Sequence, residues 1–244
     1  MAYSGHAWPV DSVVAIAALR QHDRLFPPRY EQVIRRWVEE AQARLDPQTG
    51  LLPHRVHPET GAMLEGARGS SQSMINRFLP EIDAAWGREH YLSFREQFVV
   101  IPLGVREYPV GTDGVGDVDS GPLLLGISAS ASVVSIGAAR ANLDAPLADA
   151  LSGGAEAVGF PLEWGGQKRY GLGLLPVGDA MLAWSRATLP APDGVSPAPK
   201  NTVPGGWRWP LHGLSLAALI VVWFPEWLRV VLFRREGRAL AARG

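Results

Sequence analysis

Residues 9–45 read PVDSVVAIAALRQHDRLFPPRYEQVIRRWVEEAQARL, and the apolar spacing of this stretch decides the fold class. Pro9, at a first-turn position, opens a helix over Asp11–Leu25 with Val10, Val13, Val14, Ala17 and Leu25 on or near one face. Pro27-Pro28 breaks it, because proline supplies no N–H to a helical ladder. Tyr30–Leu45 follows, with Val33, Ile34, Trp37, Val38, Ala41 and Leu45 at three- and four-residue steps. Asp46-Pro47 and the turn Gln48-Thr49-Gly50 stop this second helix and lead into a long loop.

The same pattern recurs along the chain. A third helix capped by Ser70 or Ser71 runs to Trp86, a fourth covers Arg88–Val100, and Ser120-Gly121-Pro122 opens a fifth that runs to Asn142. A sixth spans Leu143–Val158 and a seventh Leu174–Thr188. Gly126, Ser128, Ala131 and Gly137 let the fifth pack closely, and Asp119 and Arg140 at its ends mark it as buried rather than lipid-facing. Strand signal is slight. The spacing predicts an all-α fold of antiparallel helical hairpins, seven helices over residues 1–188. The long loops 50–69, 104–120 and 159–174 are expected on one rim, where a pocket would form.

Beyond the helices, LPAPDGVSPAPKNTVPGG at 189–206 holds five prolines and three glycines, the composition of an extended linker. LHGLSLAALIVVWF at 211–224, edged by Trp207, Trp209, Trp223 and Trp227, predicts a transmembrane helix over 207–233. Arg234, Arg235, Arg238 and Arg243 make 234–244 a basic tail, cytoplasmic by the positive-inside rule, with the globular part on the outer side. Membrane lipid is thus an expected partner through that helix.

The 244 residues carry a formal net charge of −1, which argues against a nucleic-acid partner because such surfaces are normally basic. Cysteine is absent, excluding disulfides, thiolate metal sites and a cysteine nucleophile. No metal or cofactor motif stands out; His54 and His57 at i, i+3 lack further ligands nearby.

The segment VREYPVGTDGVGDVDSGP at 105–122 is the densest in candidate chemistry. It gathers Arg106, Glu107, Tyr108, Asp113, Asp117 and Asp119, and carboxyls held this close push their pKa values apart and can serve as acid and base. Calcium is an alternative for the aspartates, although the spacing is not that of an EF-hand, and helix caps and turns are a third reading. Trp8 beside Asp11 at a helix mouth suits a cyclic ligand, while Arg68 with Ser70 and Ser71 could hold a substrate's polar end. The candidate catalytic groups are Asp11, Glu107, Asp117 and Asp119, and the candidate substrate-binding groups are Trp8, Arg68, Ser71 and Tyr108. The expected partner is a small molecule.

WPVDSVVAIAAL at 8–19, RLDPQTG at 44–50, HPETGAM at 57–63, SSQSM at 70–74, IDAAW at 82–86, YLSFREQFV at 91–99 and REYPVGTDG at 106–114 resemble, in order, the C-terminal part of the linalool dehydratase/isomerase family. The resemblance covers roughly Trp8–Asp144. It implies an (α/α)6 toroid and a periplasmic lyase/isomerase that works on terpenoid alcohols without a cofactor. Seven helices make an incomplete ring where that toroid needs twelve, which implies a missing N-terminal half or a homo-oligomer, since an open ring exposes apolar surface. It sets Val10 where the family carries a functional cysteine, and places the family's first-half catalytic residues before Met1. The expectation is an acid–base lyase or isomerase on an alcohol or terpenoid. Its rivals are a carbohydrate-active toroid enzyme, by fold analogy, and a non-catalytic membrane-tethered binding module.

Overall fold

The computed structural model describes residues 5–101, 103–192, 203 and 206–241. The chain divides into two units, Met1–Val203 and Pro204–Gly244. The first helix, α1 (Pro9–Leu25), starts with its proline at N1, and the second, α2 (Glu31–Gln42), follows the Pro27-Pro28 break. The third, α3 (Gly69–Ile82), ends at Asp83, whose extended backbone and side chain cap α4 (Ala84–Phe98) by accepting the Trp86 N–H. The boundary expected at Gly87, between helices ending at Trp86 and starting at Arg88, thus lies four residues earlier, at Asp83. The last three helices of the unit are α5 (Ala129–Ala141), α6 (Ala145–Val158) and α7 (Pro176–Ala187). Ser128 and Asp144 cap α5 and α6 through their side chains.

The all-α expectation is corrected by what the long loops do. Helix accounts for 57% of the structure and strand for 10%, the latter in small sheets that a purely helical ring would lack. The strands β1 (Arg55–Val56) and β2 (Met63–Glu65) form one antiparallel hairpin. A three-stranded antiparallel sheet combines β3 (Val99–Val100), β4 (Gly104–Arg106) and β5 (Ile127–Ser128) in that order, and β6 (Leu162–Trp164) pairs with β7 (Gln167–Arg169). Strands of two or three residues are too short to show alternation, which is why no period announced them. Nor do the helices follow one another around a ring. The hub is α3, which packs on α1, α4 and α5, and α5 in turn packs on α6 and α7.

Two apolar clusters flank that hub. One joins Val13 and Ile16 of α1, Ile34 of α2, Ile75, Leu79 and Ile82 of α3, and Trp86. The other joins Tyr91, Phe94 and Phe98 of α4 with Ile136 and Ala139 of α5, Leu147 and Leu151 of α6, and Leu182. Polar residues on α3 pass through the interior and are paired there. The amide of Gln72 donates to the Leu52 carbonyl at 2.6 Å, and the Asn142 amide donates to the Asn76 carbonyl at 3.0 Å. The His90 ring bridges the Leu52 N–H, which donates to Nε2 at 3.1 Å, and Asn76 Oδ1, which accepts from Nδ1 at 3.0 Å. Each pairing avoids the cost of an unmet buried polar group and fixes the loop after α2 against α3.

The second unit contains α8 (Trp209–Ala241), 33 residues long. The expected transmembrane helix is not supported: among the described residues no helix is long and apolar enough to cross a membrane. The uncharged run between Arg208 and Glu226 is 17 residues and includes Pro210, His212, Gly213 and Ser215. At 1.5 Å per residue it reaches about 25 Å, short of the roughly 30 Å hydrocarbon core. The single-pass localisation, with an outer globular part and a cytoplasmic tail, falls with it. The basic residues of 234–241 continue the helix rather than forming a separate tail. Most of the predicted linker, 193–202 and 204–205, lies outside the described residues, as do 242–244.

His90 generates a prediction about acid stability. Burial alone lowers it from 6.5 to about 3. The unfolded chain therefore takes up a proton at His90 well before the folded one does. The stability from the neutral ring is complete above pH 6.5 and drains away as the pH falls toward 3. At about 1.4 kcal/mol per unit, the contribution is on the order of 5 kcal/mol. Urea unfolding from pH 7 to 4 should show this decline. A His90→Asn variant should be weaker at pH 7 and show a shallower slope; an equal slope in both proteins contradicts the assignment.

Candidate functional site

The N-terminus of α3 is where two of the long loops meet. Arg68 is the N-cap residue, yet no side chain of its own turn caps the helix. The cap comes instead from Glu107, 37 residues away, whose Oε2 accepts the Ser70 N–H at 3.0 Å. Its Oε1 accepts from Ser70 Oγ at 2.7 Å and from Arg68 Nε at 2.8 Å. The backbone is gripped as well: Gly69 N–H donates to the Glu107 carbonyl at 2.8 Å, and Glu107 N–H donates to the Gly126 carbonyl at 3.0 Å. Ser70, expected as a possible cap, thus donates to the cap rather than serving as one.

Glycine at 69 permits this approach. A Cβ there would overlap the Arg106 carbonyl. From the other side, Asp46 Oδ2 accepts the Ala67 N–H at 3.0 Å and Thr49 Oγ1 at 3.0 Å, tying the end of the loop after β2 to the turn after α2.

Arg68 spends its donors unevenly. Its Nε serves Glu107, and Nη1 serves both Glu65 Oε1 at 3.0 Å and Asp117 Oδ2 at 2.6 Å. Its Nη2 is buried and has no hydrogen-bond partner among the described residues. The guanidinium carbon sits 5.2 Å from the centroid of the Tyr108 ring, whose hydroxyl donates to the Val115 carbonyl at 3.0 Å. Asp117 is held by its own turn, with Oδ1 accepting the N–H groups of Asp119 and Ser120, each at 3.0 Å. On the far side, Ser71 Oγ and His54 Nδ1 are 2.6 Å apart, and His54 Nε2 is 4.0 Å from Glu65 Oε2.

The two carboxyls of the 105–122 segment are pushed in opposite directions. Burial raises Glu107 above the usual carboxylate range, against the pull of Ser70 and Arg68. Burial also acts to raise Asp117, but the Ser120 N–H and the Arg68 guanidinium outweigh it and hold Asp117 low. Asp117, with 39% of its side chain exposed, can therefore meet a ligand as an anion. Glu107 has no exposed surface, so its role is to hold the helix and the arginine.

The cluster contains Arg68, Ser71, Glu107, Tyr108 and Asp117 of the candidate residues. Asp119 adjoins it through its backbone and stands close enough to raise His54. Trp8 stacks on His6, and Asp11 is exposed in the first turn of α1. His54 stands out in the sequence only as a metal ligand beside His57, and Glu65 does not stand out at all. They sit on and beside the β1–β2 hairpin, where the His54 N–H donates to the Glu65 and Gly66 carbonyls, and only the hairpin makes them neighbours. His57 turns away from His54 and accepts the Glu59 and Thr60 N–H groups. Three carboxylates face two arginines, Arg68 at the centre and Arg55 3.7 Å from Glu65 Oε2, which leaves the cluster with a surplus of negative charge. Among the described residues no group of three metal-ligating side chains comes together. Depressions of about 230 Å³ beside Arg44 and Met63, and about 330 Å³ at the β6–β7 turn, share none of the cluster's residues.

No known family matches the chain, and no curated protein matches it.

The packing at Gly69 is directly testable. Gly69→Ala should force Arg106–Glu107 away from α3 and cost about 2–4 kcal/mol, the scale of overpacking plus a lost cap. Urea unfolding gives the loss, and limited proteolysis should reveal faster cleavage within 108–120. An unchanged midpoint and cleavage pattern would show that the loop is not held this way.

Proposed function

We propose that the chain carries a cofactor-independent acid–base site for a neutral molecule bearing a hydroxyl group. A terpenoid alcohol is the substrate class suggested by the likeness to linalool dehydratase/isomerases. One observation carries the reading: Arg68 Nη2 is buried with unspent donors, on the same guanidinium whose Nη1 holds the ionised Asp117. A hydroxyl both accepts and donates, so it can take the Nη2 proton with its oxygen and offer its own proton to Asp117. A carboxylate or phosphate would satisfy Nη2 but would meet the surplus negative charge of Glu65, Glu107 and Asp117. At 4 Å each such contact opposes binding by about 1 kcal/mol in water and several times that when buried.

In this reading Arg68 holds the hydroxyl oxygen and stabilises charge that develops there as the C–O bond breaks. Asp117 Oδ2, with the lone pair that Arg68 leaves free, takes the proton lost from the carbon next to the C–O bond as the double bond forms, then passes it to the departing hydroxide, so that water and an alkene leave and Asp117 is ionised again. Glu107 keeps Arg68 in place, and the Tyr108 ring backs the guanidinium. A second reading has its own observation: every Glu107 oxygen is already spent within the protein, as in a fastener that ties the 105–122 segment to α3. In that case the same contacts support a binding or structural module without turnover.

Linalool offered to the full chain separates the two. The acid–base reading predicts turnover that falls by roughly 10²–10⁴ in Asp117→Asn while the unfolding midpoint changes little. Arg68→Lys, which loses the planar fork, should raise KM and also lower kcat, because the fork both holds the hydroxyl and stabilises the charge that develops on it. Absence of both turnover and binding in the unmodified chain overturns the reading in favour of the fastener.

A further inference from the structure

His54 has no part in the chemistry above, yet its ring is built into the same cluster. The His54 side chain is buried, and its backbone N–H is shared between the Glu65 and Gly66 carbonyls at 3.1 Å each, which pins the residue across the hairpin from Glu65. At one ring edge Nδ1 lies 2.6 Å from Ser71 Oγ, in the first turn of α3. At the other, Nε2 lies 4.0 Å from Glu65 Oε2. Glu65 is itself shared: Oε1 receives Arg68 Nη1 at 3.0 Å, and Oε2 also faces Arg55 Nε at 3.7 Å. One line of contacts therefore runs from Ser71 through His54 and Glu65 to Arg68.

The chemistry of the end groups fixes the proton on the ring. An ionised carboxylate only accepts, so a bare Nε2 lone pair facing Glu65 would be repelled. A hydroxyl can donate, so Nδ1 can be the acceptor for Ser71. We propose that His54 is a positioning residue of the site, held by Ser71 with its proton on Nε2, and that through Glu65 it governs how firmly Arg68 is held. A proton taken up at Nδ1 gives an imidazolium with both edges as donors. Its Nε2–H then attracts Glu65 Oε2 more strongly and competes with Arg68 Nη1 for that carboxylate. Neutral His54 leaves Glu65 to Arg68; charged His54 draws it away.

All the charged groups facing the ring bear on this switch. Burial and Arg68 oppose the charged form, while Glu65, Asp117 and Asp119 favour it, and the net direction is a pKa below the usual 6.5. His54 is thus neutral at pH 7 and takes its proton only at a lower pH than a free imidazole does. Below that point Arg68 loses part of its support, and hydroxyl binding weakens. The effect on ligand binding rests on the function proposed above; the tautomer and its coupling to Glu65 do not.

The experiment is ¹⁵N NMR of the full chain labelled at its six histidines, with the His54 signals assigned by their loss in His54→Asn. The unmodified protein should show a protonated Nε2 and an unprotonated Nδ1 at pH 7.5. Glu65→Gln should lower the His54 midpoint by roughly one pH unit, the pull of one carboxylate at this distance. Ser71→Ala should weaken the tautomer preference, since Glu65 alone then favours the proton on Nε2. A protonated Nδ1 in the unmodified chain, or a midpoint unmoved by Glu65→Gln, overturns the proposal. Should Glu65→Gln fail to fold, the tautomer readings of the unmodified chain and Ser71→Ala decide it alone. Linalool affinity should fall at least threefold across the His54 midpoint, and this acid limb should be absent in His54→Asn. Loss of binding at every pH counts against the functional reading, whereas an acid limb retained in His54→Asn counts against the switch.

Discussion

Glu107 is the group on which the N-terminus of α3 depends. The first N–H groups of a helix have no partner within it, and a cap supplied by the helix's own turn is the usual remedy. Here a distant carboxylate takes that place and also meets Arg68 and the Ser70 hydroxyl. Its negative charge sits at the positive end of the helix dipole, which favours it further. The cost is a carboxylate and a guanidinium removed from water, several kcal/mol for each ion, offset only because the pair's geometry is tight and Glu107's oxygens are all engaged. Since α3 is also the hub against which α1, α4 and α5 pack, the cap joins the fold to the site.

The unequal use of Arg68 follows from that arrangement. A guanidinium offers five N–H groups in a fixed plane, and three are taken by Glu107, Glu65 and Asp117. The plane cannot twist to place the remaining two without giving up the others. An unmet buried donor is costly and calls for an explanation, of which a ligand that completes the set is one. The surrounding carboxylates then select what kind of ligand that is, favouring a neutral group that donates as well as accepts.

Much of this was legible in the sequence, for reasons specific to each element. Proline punctuation and apolar steps gave α1 and α2, since both signals are local. Arg68, Ser71, Glu107, Tyr108 and Asp117 stood out because charge and hydroxyl groups clustered in segments without helical spacing, and the fold brings those five together. What the sequence hid was pairing. His54 and Glu65 are eleven positions apart and meet only through a hairpin of two- and three-residue strands, too short for alternation to register. The position of the α3–α4 break was hidden for another reason: the apolar pattern runs on through Asp83, and only its backbone conformation shows the cap. The hydrophobic stretch before Pro225 read as a membrane span on flanking tryptophans and arginines, but charges at 208 and 226 leave too short a run between them.

The measurement that bears most directly on the account is a double-mutant cycle between Arg68 and Glu107, read by urea unfolding of the full chain. Arg68→Met and Glu107→Gln each leave a buried group without its partner and should cost about 3 kcal/mol or more. If the pair is the fastener of α3, the double variant should be less damaged than the sum of the two by about 2 kcal/mol, because neither orphan remains. Losses that add to within about 0.5 kcal/mol would mean the two residues act independently, and the account of the site would fail.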